Sequence, residues 1–137
     1  MMRLSTFFLL LGFILLISSG LISCKDTQTN PSSVIVFPDS NVSFSKYVKP
    51  LFQQKCTGSP CHGGSAPASG LNLESPSSYE ALMNHTPTLV IPRDTNSLLM
   101  ERLDGRLPQM PPPKFPQLTL NQIDGVKKWI EEGASEN

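Results

Sequence analysis

Cys56-Thr57-Gly58-Ser59-Pro60-Cys61-His62 is the stretch from which the rest of the chain is read. Two thiols close in sequence, with a histidine directly after the second, meet the needs of covalent haem attachment. The thiols add to the two vinyl groups, and the next residue turns its imidazole onto the iron. The usual spacing is Cys-x-x-Cys-His, whereas four residues intervene here. The two extra residues must loop outward for both sulfurs to reach one macrocycle, and Gly58, Ser59 and Pro60 are turn formers suited to that bulge. Other uses of the pair remain open. A Cys56–Cys61 disulfide is permitted in an exported protein. A structural zinc could draw on Cys56, Cys61, His62 and His85, but zinc sites usually pair two short spacings and His85 stands alone.

Outward from this stretch the sequence predicts helices and irregular loops, with no strand. Phe44, Tyr47, Val48, Leu51 and Phe52 recur at helical spacing ahead of the cysteines, with Ser43 as a plausible N-cap. Pro50 falls inside that pattern and predicts a kink, or a restart with the proline in a first turn. A glycine-rich loop follows, Gly63 to Gly70. Ser77-Ser78-Tyr79-Glu80 reads as a capping box ahead of a short helix to about Met83. Ser97 is positioned to cap a second, Leu98 to Asp104, stopped by Gly105. Five prolines between Pro108 and Pro116 exclude helix and central strand. Thr119 and Gln122 form a further capping box before a helix to Glu132, with Leu120, Ile123, Val126 and Ile130 on its apolar face and Gly133 as its stop. The expected fold is all-α, about four short helices. So thin a core gains from a cofactor's apolar mass.

The N-terminal part predicts export. Arg3 supplies a short basic region, Phe7 to Ile17 an apolar run, and Leu21-Ile22-Ser23-Cys24 follows small residues. The last four residues resemble a bacterial lipobox. That implies a signal peptide over 1–23, a lipidated Cys24 and attachment to a bacterial membrane, facing the periplasm or the cell exterior. Residues 24–41 read as a polar tether in which only Val34-Ile35-Val36-Phe37 is apolar, a candidate docking strand. The domain is expected over 42–137. Of 11 basic and 11 acidic side chains only Arg3 lies in the signal, so the remainder is near neutral and no basic stripe supports a nucleic-acid partner.

A sixth iron ligand must come from elsewhere. Met83 and Met100 fall within helical segments and read as core fillers. Met110 lies in Leu107-Pro108-Gln109-Met110-Pro111-Pro112-Pro113, where proline stiffness leaves the backbone beside the sulfur little entropy to lose. His85 is the rival, just past a short helix, where it reads as an exposed loop residue. A second imidazole would give a lower potential than Met. Trp129 and Tyr79 read as core aromatics. A backbone carbonyl between Gly64 and Ala68 is the expected acceptor for the second ring N–H of His62.

Most of the domain resembles the small cytochrome c-like domains of exported planctomycete and Bacteroidetes-type proteins. The resemblance is carried by Tyr47-Val48-Lys49-Pro50-Leu51-Phe52, the Cys-x4-Cys-His element, Gly70-Leu71-Asn72-Leu73, Ser78-Tyr79-Glu80-Ala81-Leu82, Leu107-Pro108-Gln109-Met110-Pro111-Pro112 and the helix of Trp129-Ile130. It implies a class I cytochrome c-like fold with one haem c, covalent to Cys56 and Cys61. Axial ligands would be His62 (proximal) and Met110 (distal), and the function one-electron transfer between redox partner proteins rather than enzymic turnover. Two other functions compete: a haem-free lipoprotein carrying a Cys56–Cys61 disulfide as an interaction module, and a haem sensor or peroxidase-type protein. No distal acid–base pair near Met110 is visible in the sequence to support the last.

Overall fold

A computed structural model describes residues 34–58, 60–74 and 76–137. The expected signal over 1–23, Cys24 and tether residues 25–33 lie outside the described residues. Among the described residues there is no strand. A π-helical turn, Phe44–Val48, leads into α1 (Lys49–Cys56). It is followed by a 3₁₀ turn (Ala68–Gly70), α2 (Ser78–Met83), α3 (Leu98–Leu103) and α4 (Leu120–Glu131).

The first helical segment forms as its pattern predicts. Ser43 Oγ accepts the Lys46 N–H at 3.2 Å and caps the π turn. The widened turn ends at Val48, and the helix restarts as α1 with Pro50 in its first turn, where a missing N–H removes no helical bond. Phe44, Val48, Leu51 and Phe52 are buried. Phe44 ties the π turn to α2 and α4, lying edge-on to Tyr79 (centroids 5.2 Å) and tilted against Trp129 (5.4 Å). The Trp129 indole N–H donates to Ser135 O and the Tyr79 hydroxyl to Ala134 O, so both aromatics are satisfied core residues.

The helix α4 begins with a complete capping box: Gln122 N–H donates to Thr119 Oγ1, and Thr119 N–H to Gln122 Oε1. Gly105 (φ +82°) and Gly133 (φ +108°) stand just past the ends of α3 and α4 in the left-handed region that glycine tolerates. The apolar face of α4 differs from expectation at its first residue. Leu120 is 79 % exposed, while Gln122 is buried with Val126, Trp129 and Ile130. At 3.6 residues per turn Leu120 points about 120° away from Val126, whereas Gln122 lies one turn before it. The Gln122 amide is satisfied by donating to Ile35 O at 3.2 Å.

Two expected caps do not form. Ser77 makes no cap hydrogen bond to α2. Ser97 makes none to α3; its hydroxyl turns back to Asp94 O and accepts the Ile91 N–H, pinning the preceding loop. Local sequence supplied a suitable hydroxyl in each case, and in the second a loop carbonyl competed for it.

The packed domain also begins before Val42. Ile35 and Phe37 face α4, with Phe37 4 % exposed, while Val34 and Val36 point outward. Phe37 N–H donates to Asn121 Oδ1, and Asn121 returns a bond to Phe37 O. The Phe37 ring occupies the space a side chain would fill at Gly125, whose Cβ would lie 2.1 Å from Phe37 Cγ. Further on, Glu132 accepts the N–H groups of Asn41 and Val42 at 2.8 Å each. Asn137 Oδ1 accepts that of Phe44, and Asn137 O that of Ser45.

Candidate cofactor site

Cys56 closes α1, and the chain then doubles back on it. Cys61 N–H donates to Gly58 O, and His62 N–H returns to Cys56 O at 2.8 Å. The four-residue spacer is thereby drawn out as a loop, with Gly58 and Pro60 exposed. Gly63 holds the return: a Cβ there would sit 2.3 Å from the Thr57 carbonyl oxygen, a backbone atom that cannot give way. Leu73 N–H donates to His62 O, and Ala68 N–H to Cys61 O, so the glycine-rich loop is folded under the histidine.

That loop orients the imidazole. His62 Nδ1 lies 3.2 Å from Ala68 O. A carbonyl only accepts, so the contact places the proton on Nδ1 and leaves Nε2 with a free lone pair for a metal. The acceptor falls within the Gly64–Ala68 stretch expected for it. Ser69, the next residue, has φ 54° and ψ 20°, a left-handed conformation that costs an L-residue roughly 1–2 kcal/mol.

Two adjoining cavities open beside these residues, one of about 220 Å³ and one of about 240 Å³. Cys56, His62 and Met110 line both. The first is walled by Phe52 and by leucines from the 71–73 loop, α2, Leu89 and α3, with Ser69, His85 and Arg102 as its other polar members. The second takes in Cys61, Lys55, Pro111, Pro112, Lys114 and Phe115. The four sequence-selected ligands thus meet at one place although Met110 is remote in sequence. Met100 is buried in the core and Met83 packs against it, and neither lines these two cavities.

The Met110 loop is fastened to α3. Met110 N–H donates to Arg102 O at 2.8 Å, and the Arg102 guanidinium donates to Pro108 O at 3.3 Å, holding the loop at Met110 and two residues before it. Sequence reading missed this role of Arg102, and no local pattern announces it. His85 is not the exposed loop residue expected. It is half-buried and lines the first cavity, with Nδ1 3.2 Å from Pro87 O and Nε2 3.0 Å from Ser69 O. Both ring nitrogens face carbonyls, so binding a metal would cost one of those contacts. His85 and Arg102 do come together beside Met110, an arrangement the sequence concealed. Each is engaged with backbone carbonyls rather than presented as a free acid–base group.

Cys56 and Cys61 are free thiols. Burial, reinforced by Cys61 and opposed by Lys55, pushes the Cys56 thiol up to about 12, which keeps it neutral at ordinary pH. Among the described residues no three His, Cys, Asp or Glu side chains gather to hold a metal ion, so the tetrahedral set that zinc wants does not assemble. Two thiols, one oriented imidazole and one thioether around apolar walls do fit haem c, which Cys56 and Cys61 would bind covalently and His62 and Met110 would ligate.

Residues 59–114 match the family model described as Planctomycete cytochrome C. The matched span contains Cys61, His62 and Met110 and begins three residues after Cys56. No curated protein and no solved structure matches the chain. The match supports a cytochrome c-like domain of the electron-carrier type, and the strand-free helical fold is consistent with it.

Proposed function

We propose that this chain is a membrane-anchored monohaem c-type cytochrome that passes single electrons between redox partner proteins. The observation that carries the reading is the convergence of Cys56, His62 and Met110 on both cavities, with Cys61 on one. Haem c would be held by thioethers to Cys56 and Cys61 and ligated by His62 Nε2 and Met110 Sδ, in a class I arrangement. When bound it supplies a one-electron couple.

The chain's own residues do the rest. Ala68 O keeps the His62 ring turned and raises its basicity as a ligand. Arg102 and the prolines after Met110 hold the thioether in place, offsetting the weakness of a sulfur ligand. Leucines and Phe52 exclude water from one side. With His62 and Met110 both holding the iron, no site would be left for a substrate, which would favour a carrier over an enzyme. A lipid on Cys24 would fix the domain to a bacterial membrane, facing the periplasm or the cell exterior.

Expression with a cytochrome c maturation system tests the reading. The haem should survive acid–acetone extraction and denaturing electrophoresis, with a pyridine haemochrome band shifted when either cysteine becomes Ala. Haem that washes out would refute covalent attachment. For the anchor, metabolic lipid labelling should disappear in Cys24→Ala; a mature N-terminus other than Cys24 would refute it.

A further inference from the structure

We infer that His85 is a positioning residue for the proximal ligand: it braces the Ala68–Gly70 turn, whose Ala68 carbonyl orients His62. The inference rests on the reading of His62 as an iron ligand.

Two successive carbonyls of this turn do different work. Ala68 O accepts from Leu71 N–H and from His62 Nδ1, both at 3.2 Å. Ser69 O faces His85 Nε2 at 3.0 Å, and the opposite edge of the same ring lies 3.2 Å from Pro87 O. His85 therefore bridges the turn to the 85–87 segment. The brace uses an N–H on Nε2, because Ser69 O is a carbonyl that only accepts.

The residue between the two carbonyls explains why a brace matters. Ser69 is left-handed, with φ 54°, a conformation that an L-residue keeps only when its surroundings enforce it. Rotation at Ser69 φ swings the 68–69 peptide, and that peptide carries Ala68 O. Leaving the left-handed region needs both dihedrals of Ser69 to change, and a pinned Ser69 O resists the ψ part of that change. The bond from His62 Nδ1 then stays formed, the imidazole stays electron-rich, and ferric iron is favoured. His85 thus acts on the iron without touching it, through a turn of three residues. Its sequence position gave it the look of a rival ligand; its two engaged nitrogens give it this other part.

The test uses the haem-loaded protein with His85→Ala and with His85→Phe, which keeps ring volume without nitrogens and serves if the first does not fold. Loss of one bracing bond should speed solvent exchange of the His62 Nδ1 proton, followed by NMR in the reduced state, by roughly fivefold. The midpoint potential should move upward while the absorption spectrum stays six-coordinate and low-spin. His85→Gln, with an amide donor for Ser69 O, should restore most of both. Unchanged exchange and potential in the deletion variants would overturn the brace and leave the haem reading standing. Five-coordinate iron in His85→Ala would make His85 the distal ligand, overturning the brace and the role of Met110 together. Failure of the wild-type chain to take up haem would overturn the proposed function, and the brace with it.

Discussion

Replacing Gly125 by Ala sets two opposing effects against each other on α4. In an unhindered helix the change is favourable by about 1 kcal/mol, because glycine is the poorer helix former. Here the new Cβ would lie 2.1, 2.2 and 2.4 Å from Phe37 Cγ, Cδ1 and Cβ. The contact reaches the root of the side chain, so no rotamer change relieves it, and the 35–37 segment must lift. Exposing Phe37, now 4 % exposed, forfeits roughly 1.5–3 kcal/mol of burial. The bonds Phe37 shares with Asn121, and Ile35 with Gln122, each contribute about 1 kcal/mol. Against this stand the helix gain and the conformational freedom the segment recovers, leaving a net loss of about 2 kcal/mol. For a domain of this size that is a fall in Tm of roughly 10 °C. Thermal and urea unfolding should show it, with the haem spectrum unchanged because neither residue lines the cavities. A double-mutant cycle isolates the cause: in a Phe37→Gly background, which removes the Cβ as well as the ring, Gly125→Ala should become neutral or stabilising. A Gly125→Ala variant more stable than wild type, or equally damaged with and without the Phe37 side chain, would refute the cradle.

The other expected outcomes sit closer to the cofactor site. Gly63→Ala should abolish haem incorporation, judged by haem stain per unit protein, since its Cβ meets the Thr57 carbonyl at 2.3 Å. Met110→Ala should convert low-spin iron to a form that binds carbon monoxide and should lower the potential; Met100→Leu should leave the spectrum alone and cost under about 1.5 kcal/mol. Thr119→Ala should remove about 1 kcal/mol in urea unfolding through loss of the α4 cap, with no spectral change. In the haem-free chain, Cys56 has its folded pKa raised from 9.0 to about 12. Its stabilising contribution should be complete below pH 9 and fade as pH rises toward 12. Urea midpoints across that range should show a slope that Cys56→Val removes.

Features that depend on neighbours in sequence were legible in advance. The restart of α1 at Pro50, the box at Thr119, the stops at Gly105 and Gly133 and the carbonyl behind His62 all arise within a few residues of their signal. Cys56, Cys61, His62 and Met110 could also be picked out by residue type, and the structure brings them to adjoining cavities. What was hidden depends on contacts across the fold. Leu120 is apolar by composition, but the register of Trp129 and Ile130 leaves it outside. Ser97 carries the right hydroxyl for a cap and finds a closer partner in the 91–94 loop. The true start of the packed domain depended on Gly125, which reads as a weak helix residue until Phe37 is seen filling its place.

Stitching of residues 35–42 to α4 gives the domain a defined load path. Tension applied at Val34 would meet first the Gln122 bond to Ile35 O, then the paired bonds between Phe37 and Asn121, then those from Asn41 and Val42 to Glu132. These attachments are spread along α4, so the pull is carried in shear by several bonds at once before it reaches α1. None of these residues lines either cavity. A pull on this segment would therefore be taken up by bonds on α4, away from the Cys56–His62 loop.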